Sequence, residues 1–376
     1  LDELRAYVED VSFSRFAGLD GLRFKSWRAR PGEWFEGSYV FASSEARDAF
    51  QAEFEPGLRL NLSPAQIAAR AAPSVGTLLD LNAGSLAGSG CSNPDLRTGR
   101  VVAVSDRAIV VADTMNPRNG FTAEHFTTIG DTFDDLIWGV NTVSFGEPTD
   151  IDENDRVIIF YTRAVNELTE EGADSYVGGF FYNRDLFPAT GANACAGSNE
   201  AEMFYMLVPD PNGEVNNNVR GTQFVLDRTF SVLAHEFQHL INDSRRLYVN
   251  EAMVWEDSWL NEGLSHVAEE LAFYAASGHA PRQNLGTSAV VGSAAQAFNR
   301  YNIDNFERYI RYLREPEQHS LMGNVNELAT RGAAWAFLRY VADREPGDDQ
   351  GLWTRLVNSK TMGLANLEDI ARHVVA

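Results

Sequence analysis

The sequence predicts an α+β protein whose sheet is assembled early in the chain and whose helices gather late. Three observations carry this. β-branched and aromatic runs bounded by turn residues recur between Gly76 and Pro209. Patterns with a 3.6-residue period dominate after about residue 226. A hydrophobic content of 44% over 376 residues is ample for sizeable cores.

In chain order, residues 1–72 read as a mostly helical region, with LDELRAYVED, SSEARDAFQAEF capped by Ser44, and SPAQIAARAA from Ser63. Residues 73–115 read as a small β unit: GTLLDLN, then RVVAV and AIVVAD joined by the turn SDR. After the turn-rich NPRNG, a helix is expected over about 122–141 and a buried strand at RVIIFYTRA, 156–164. YVGGFFY and AEMFYMLVP follow as strands, then helices over Asp227–Asn242 and Asp257–Ala276, with helical sequence to the end. Residues 116–376 therefore read as one domain, its sheet part reaching about residue 226.

The 31 basic and 53 acidic residues give a net charge of −22, which repels nucleic-acid backbones and anionic lipid surfaces. No run approaches the roughly 18 apolar residues that a membrane-spanning helix needs, so no membrane insertion is expected. The start, LDELRAYVED, lacks the sections of a secretory signal. Cys91 and Cys195 both sit in loop-like sequence, and a disulfide between them and two free thiols are equally good readings.

The chemistry concentrates in LAHEFQHLIN, residues 233–242. On a helical wheel Phe230, Leu233, Ala234, Phe237, Leu240 and Ile241 share an apolar arc roughly 120° wide. His235 and His239 lie on a flank nearly opposite, one turn apart. That turn separates the two imidazoles by about 5–6 Å, a spacing from which both can reach one metal ion. H-E-x-x-H arises by chance in only about one chain in a hundred of this length, and it falls here on a helix, where the motif has meaning. A third ligand is expected downstream. In WLNEGLSHVAEEL the residues Leu260, Leu264, Val267, Ala268, Leu271, Tyr274 and Ala275 form the apolar arc, while Glu262, Ser265, His266 and Glu269 occupy the other side.

HEFQH followed by NEGLSHVAEE resembles the gluzincin metallopeptidases, and HEFQHLIN with WLNEGLSHVAEEL is most similar to the hyicolysin-like neutral metallopeptidases. The likeness extends through GGFFYNRDLFP and GSNEAEMFYMLVP, covering roughly residues 100–345. It implies a zincin-like domain with an edge strand, an active-site helix and a glutamate helix. Zn2+ would be held by His235, His239 and Glu262, with Glu236 as general base, in a secreted or periplasmic endopeptidase acting on peptide or protein substrates. The strand AEMFYMLV is the implied sheet edge on which a peptide would lie. Thermolysin-like members carry NExxSD, whereas Asn261–His266 here reads NEGLSH, so the partners of the zinc ligands must differ. His266 and Glu269 are the candidates for that work. Tyr248 is the first candidate for holding the oxyanion, with Arg331 and His319 behind it. The stretch DIDENDR reads either as a Ca2+ site formed by Asp150, Asp152 and Asn154 or as a solvated turn; it is not an EF-hand, since Asp155 and Tyr161 stand where glycine and glutamate belong. The competing functions are a catalytically silent binding or adhesion module and a metal hydrolase of non-peptide substrates. Oligomeric state is not readable.

Overall fold

The computed structural model describes residues 22–30, 34–41, 72–85, 90–191, 194–321 and 326–371. The chain divides into two compact units, Leu1–Ala71 and Ala72–Ala376. In the first, β1 (Leu22–Arg30) pairs antiparallel with β2 (Trp34–Phe41). The sequence reading gave only helices there, and those helices lie outside the described residues. The hairpin had a signal in the sequence: two alternating runs flank Pro31-Gly32, a strong turn pair.

The second unit is built on a mixed sheet of six strands: β3 (Leu78–Asn82), β4 (Leu96–Val104), β5 (Ala108–Asp113), β6 (Val157–Tyr161), β7 (Gly179–Phe181) and β8 (Met203–Met206). Their spatial order is β3-β4-β5-β6-β8-β7. Residues 73–115, read from sequence as a small β unit, thus supply three strands of the same sheet as residues 157–206. β5, β6 and β8 run parallel; the other pairings are antiparallel. The central strands are apolar on both faces because both are covered. Val110, Ile159, Tyr161, Phe204 and Met206 point to one core, and Ile109, Val111, Ile158, Phe160 and Tyr205 to the other.

The helices are α1 (Ala123–Thr132), α2 (Gly139–Phe145), α3 (Arg163–Glu167), α4 (Thr222–Ser244), α5 (Ser258–Ser277), α6 (Thr287–Val290), α7 (Ala295–Tyr301), α8 (Ile303–Arg314), α9 (Leu328–Ala342), α10 (Asp349–Val357) and α11 (Gly363–Ile370). A π-helical turn, Phe133–Trp138, joins α1 to α2, so the expected helix continues past 141. α4 lies against the first core through Phe230, Leu233, Ala234, Phe237, Leu240 and Ile241, the same six side chains as the apolar arc. Each of the five larger side chains contributes about 1.5–3 kcal/mol on full burial, which fixes the helix's rotation and so aims its histidines.

The sheet edge differs from expectation. β8, from AEMFYMLV, lies between β6 and β7, and the edge is β7, from YVGGFFY. A continuous apolar run cannot distinguish an edge from an interior strand; the two glycines of YVGGFFY were the better signal. A Cβ on Gly179 would lie 2.7 Å from Val232 Cγ1 and 2.8 Å from Tyr205 O, so only glycine lets β7 lie this close to α4.

Cys91 and Cys195 are disulfide-bonded, closing a separation of 104 residues. That decides between the two readings of the cysteines and accords with an oxidising compartment. Among the described residues no helix is long and apolar enough to cross a membrane.

Candidate metal centre

α5 packs antiparallel on α4: His235 meets Glu269 at one end of the contact, and Asn242 donates to Asn261 Oδ1 at the other (2.7 Å). Between these ends Glu262 Oε2 lies 3.4 Å from His235 Nε2 and 3.8 Å from His239 Nε2, and the two imidazole nitrogens are 3.2 Å apart. His235, His239 and Glu262 each offer a ligand atom within 4.8 Å of the others. Glu262 Oε1 accepts from Arg331 Nη2 at 2.8 Å and from Asn326 Nδ2 at 3.3 Å, while its buried Oε2 has no hydrogen-bond partner. An orphaned carboxylate oxygen facing two imidazole nitrogens is costly unless something cationic joins them. The donor set of two imidazoles and one carboxylate fits zinc, and the missing charge is what such an ion supplies.

The outer faces of both imidazoles are held. His235 Nδ1 is 2.8 Å from Glu269 Oε1, which also receives His266 Nδ1 at 2.9 Å, while Arg308 Nη1 lies 3.3 Å from Glu269 Oε2. His239 Nδ1 is 3.1 Å from Ser265 Oγ, which donates to Gln238 Oε1 at 2.6 Å. With these tautomers each Nε2 presents its lone pair inward, the arrangement that metal-binding histidines use. Glu269 therefore touches His235 directly, whereas His266 reaches it through Glu269. Ser265, Arg308 and Asn326 were not singled out from sequence. Ser265 had a faint signal in sharing the polar side of α5; the other two come from distant elements.

Burial opposes charging His235, but Glu262 and Glu269 hold its pKa up to about 9; burial pushes His239 down to about 4. Burial works against ionising Glu262, yet Arg331 and the two histidines keep its carboxyl well below the usual range. Glu236 is pushed up to about 7 by burial, with His235 opposing and Glu262 adding to the rise. The Phe181 backbone N–H of edge strand β7 faces this carboxylate and acts against the rise.

These groups open on one cleft whose walls include Gly178 to Phe181, Glu236, Trp255, Arg308, His319 and Arg331. Tyr248 is not on those walls, and its hydroxyl donates to the Leu186 carbonyl. His319 lines the cleft, paired with Glu327 at 3.0 Å.

Of the two readings of DIDENDR, a Ca2+ site or a solvated turn, the first has a different geometry. Asn154 Oδ1 accepts from Arg156 N (2.7 Å), and Asn154 Nδ2 donates to Asp152 Oδ2 (2.6 Å), so the asparagine is spent within the turn. The carboxylates that do approach one another are Asp150, Asp152 and Glu202, and Glu202 already accepts from Thr149 and Ile151. Nothing here supports calcium.

No protein-family model matches the chain. Over 153 residues, 41% of this chain, it is 31% identical to the neutral metalloprotease ShpI of Staphylococcus hyicus. The chain spans 32% of that relative's length.

Proposed function

We propose that the chain is an exported, zinc-dependent peptidase of gluzincin type, in which His235, His239 and Glu262 hold the ion. The observation that carries the reading is the convergence of Glu262 Oε2, without any donor, on the two imidazole Nε2 atoms. Likeness to a metalloprotease supports it, and the disulfide supports export. When bound, such an ion supplies a Lewis acid that polarises a substrate carbonyl and acidifies a water.

The chain's own residues supply the rest. Glu236 sits beside His235 and outside the ligand set, so it can take the proton of the attacking water and return it to the departing amine. A carboxyl whose burial already favours the protonated form is well placed for both halves of that transfer. Arg331 gives Nε to Asn326 and Nη2 to Glu262, and its guanidinium lines the cleft, so it is the donor preferred for holding the oxyanion over Tyr248, whose hydroxyl is given to Leu186.

The substrate would lie along β7. Gly178 pairs with Leu207 through its carbonyl, so Gly179 and Phe181 turn their backbone groups to the free side of the strand, the side from which Phe181 reaches Glu236. An extended peptide can add there through main-chain hydrogen bonds. The test is hydrolysis of casein and of quenched fluorescent peptides, with and without a chelator, beside Glu236→Gln. Cleavage that chelation and the substitution both abolish is the expected result. Zinc binding without hydrolysis of any peptide would make the chain a binding module instead.

A further inference from the structure

The chain carries a net charge of −22, yet the cleft wall formed by α8 and α9 is rich in arginine. Arg308, Arg311 and Arg314 stand three residues apart on α8, and each lines the cleft, as does Arg331 from α9. Two of these charges are already committed: Arg308 to Glu269 at 3.3 Å and Arg331 to Glu262 at 2.8 Å. Arg311 and Arg314 are exposed, and no ion pair involves either among the described residues.

Most carboxylates of the cleft are committed too. Glu262 and Glu269 serve the histidines, Glu256 pairs with Arg246 at 3.1 Å, Glu327 with His319 at 3.0 Å and Asp243 accepts from Asn183 at 3.0 Å, leaving Glu236 beside the histidines and Glu170 and Glu315 further along the walls. Two guanidinium groups one helical turn apart, facing a cleft in an otherwise strongly acidic molecule, concentrate anions at that end of it. Guanidinium groups suit carboxylates in particular, because their forked donors match both oxygens.

We infer that Arg311 and Arg314 form a subsite for a carboxylate of the peptide substrate, on the side of the metal centre where Glu269 holds His235. This rests on the peptidase reading. The helix rise of about 1.5 Å per residue puts Arg311 roughly 4.5 Å and Arg314 roughly 9 Å beyond Arg308 along α8. An extended peptide advances about 3.3 Å per residue, so the carboxylate belongs roughly one to three residues further along the peptide than the point level with Arg308. An acidic side chain and a free C-terminus present the same chemistry and would be read by the same pair.

Matched peptides separate these sources: glutamate or glutamine at each of those positions, each made as the free acid and as the C-terminal amide. With the native chain at low ionic strength, kcat/KM for a carboxylate-bearing peptide should exceed that of its neutral counterpart roughly three- to tenfold. The ratio should fall towards one at high salt and in Arg311→Ala/Arg314→Ala. Preference for glutamate whatever the terminus identifies a side-chain subsite; preference for the free acid alone identifies a terminus subsite. A ratio near one in the native chain, or an equal ratio in the double variant, overturns the inference. If no peptide is cleaved, the peptidase reading fails separately, and fluorescence anisotropy of the same labelled peptides still tests the subsite: tighter binding of the acidic peptide, lost in the double variant, supports it, and equal binding sinks it.

Discussion

Replacing Glu269 by glutamine changes a few atoms and removes the carboxylate shared by His235, His266 and Arg308. Its Oε1 accepts from His235 Nδ1 (2.8 Å) and His266 Nδ1 (2.9 Å), and its Oε2 faces Arg308 (3.3 Å). Although burial favours its protonated form, His266 and Arg308 hold its carboxyl far below the ordinary range, so it is charged at any working pH. Glutamine keeps one acceptor, loses the charge and turns an NH2 group towards existing donors. Loss of such an outer hydrogen bond typically weakens metal binding 10–100-fold, or about 1.4–2.7 kcal/mol. Leaving Arg308 without its partner adds a stability loss of about 1–2 kcal/mol, below the 3–5 kcal/mol of a fully buried pair because Arg308 retains 20% exposure. Competition for zinc against a chromophoric chelator measures the first quantity, and thermal unfolding of the chelated protein measures the second. Glu270→Gln is the control: Glu270 serves Arg339, Trp335 and Tyr274, away from the ligands, so it should lower stability and leave the zinc Kd alone. A zinc Kd for Glu269→Gln within twofold of the native value would refute the reasoning.

Three further perturbations follow from the same geometry. Glu236→Gln should lower kcat about 10²–10⁴-fold while zinc binding persists, checked by steady-state kinetics beside the zinc titration; a variant as active as the native chain would remove Glu236 as the base. Gly332→Ala would place a Cβ 2.4 Å from the backbone of Arg308 and Tyr309, forcing α8 and α9 apart at a cost of about 1–3 kcal/mol in denaturant unfolding. Asp243 is buried with Oδ1 unpartnered, and burial raises its pKa to about 7 against the opposing effects of Asn183 and Arg246. A carboxyl raised in this way supports the fold fully only below its unfolded value near 3.9 and loses that support as pH rises towards 7. Asp243→Asn should therefore raise the unfolding temperature at pH 8, by a free energy on the order of 2–4 kcal/mol, and leave it unchanged near pH 4.

The parts of this structure legible in sequence are those written in short-range spacing. The turn from His235 to His239 and the apolar arc beneath it sit on one helix, and a helix of known period permits few alternatives. Glu262 was legible because it too stands on a helix with a clear apolar side. What the sequence did not show depends on pairing across long separations. The edge position of β7 follows from insertion of β8 between it and β6, which no local pattern encodes. Arg331 and Asn326 reach Glu262 from 69 and 64 positions away in the chain (331 − 262 and 326 − 262), and Arg308 reaches Glu269 from 39. Tyr248 illustrates the converse: adjacency in sequence to the histidine helix suggested a role, but its hydroxyl is turned to Leu186.

The central claim is that one zinc ion sits among His235, His239 and Glu262, and anomalous diffraction at the zinc edge, with elemental analysis of the same preparation, tests it most directly. The account predicts one zinc per chain, a single peak within about 2.0–2.2 Å of both Nε2 atoms and Glu262 Oε2, and loss of that peak in Glu262→Ala. A chain that takes up no zinc, or a peak elsewhere, such as among Asp150, Asp152 and Glu202, would contradict it.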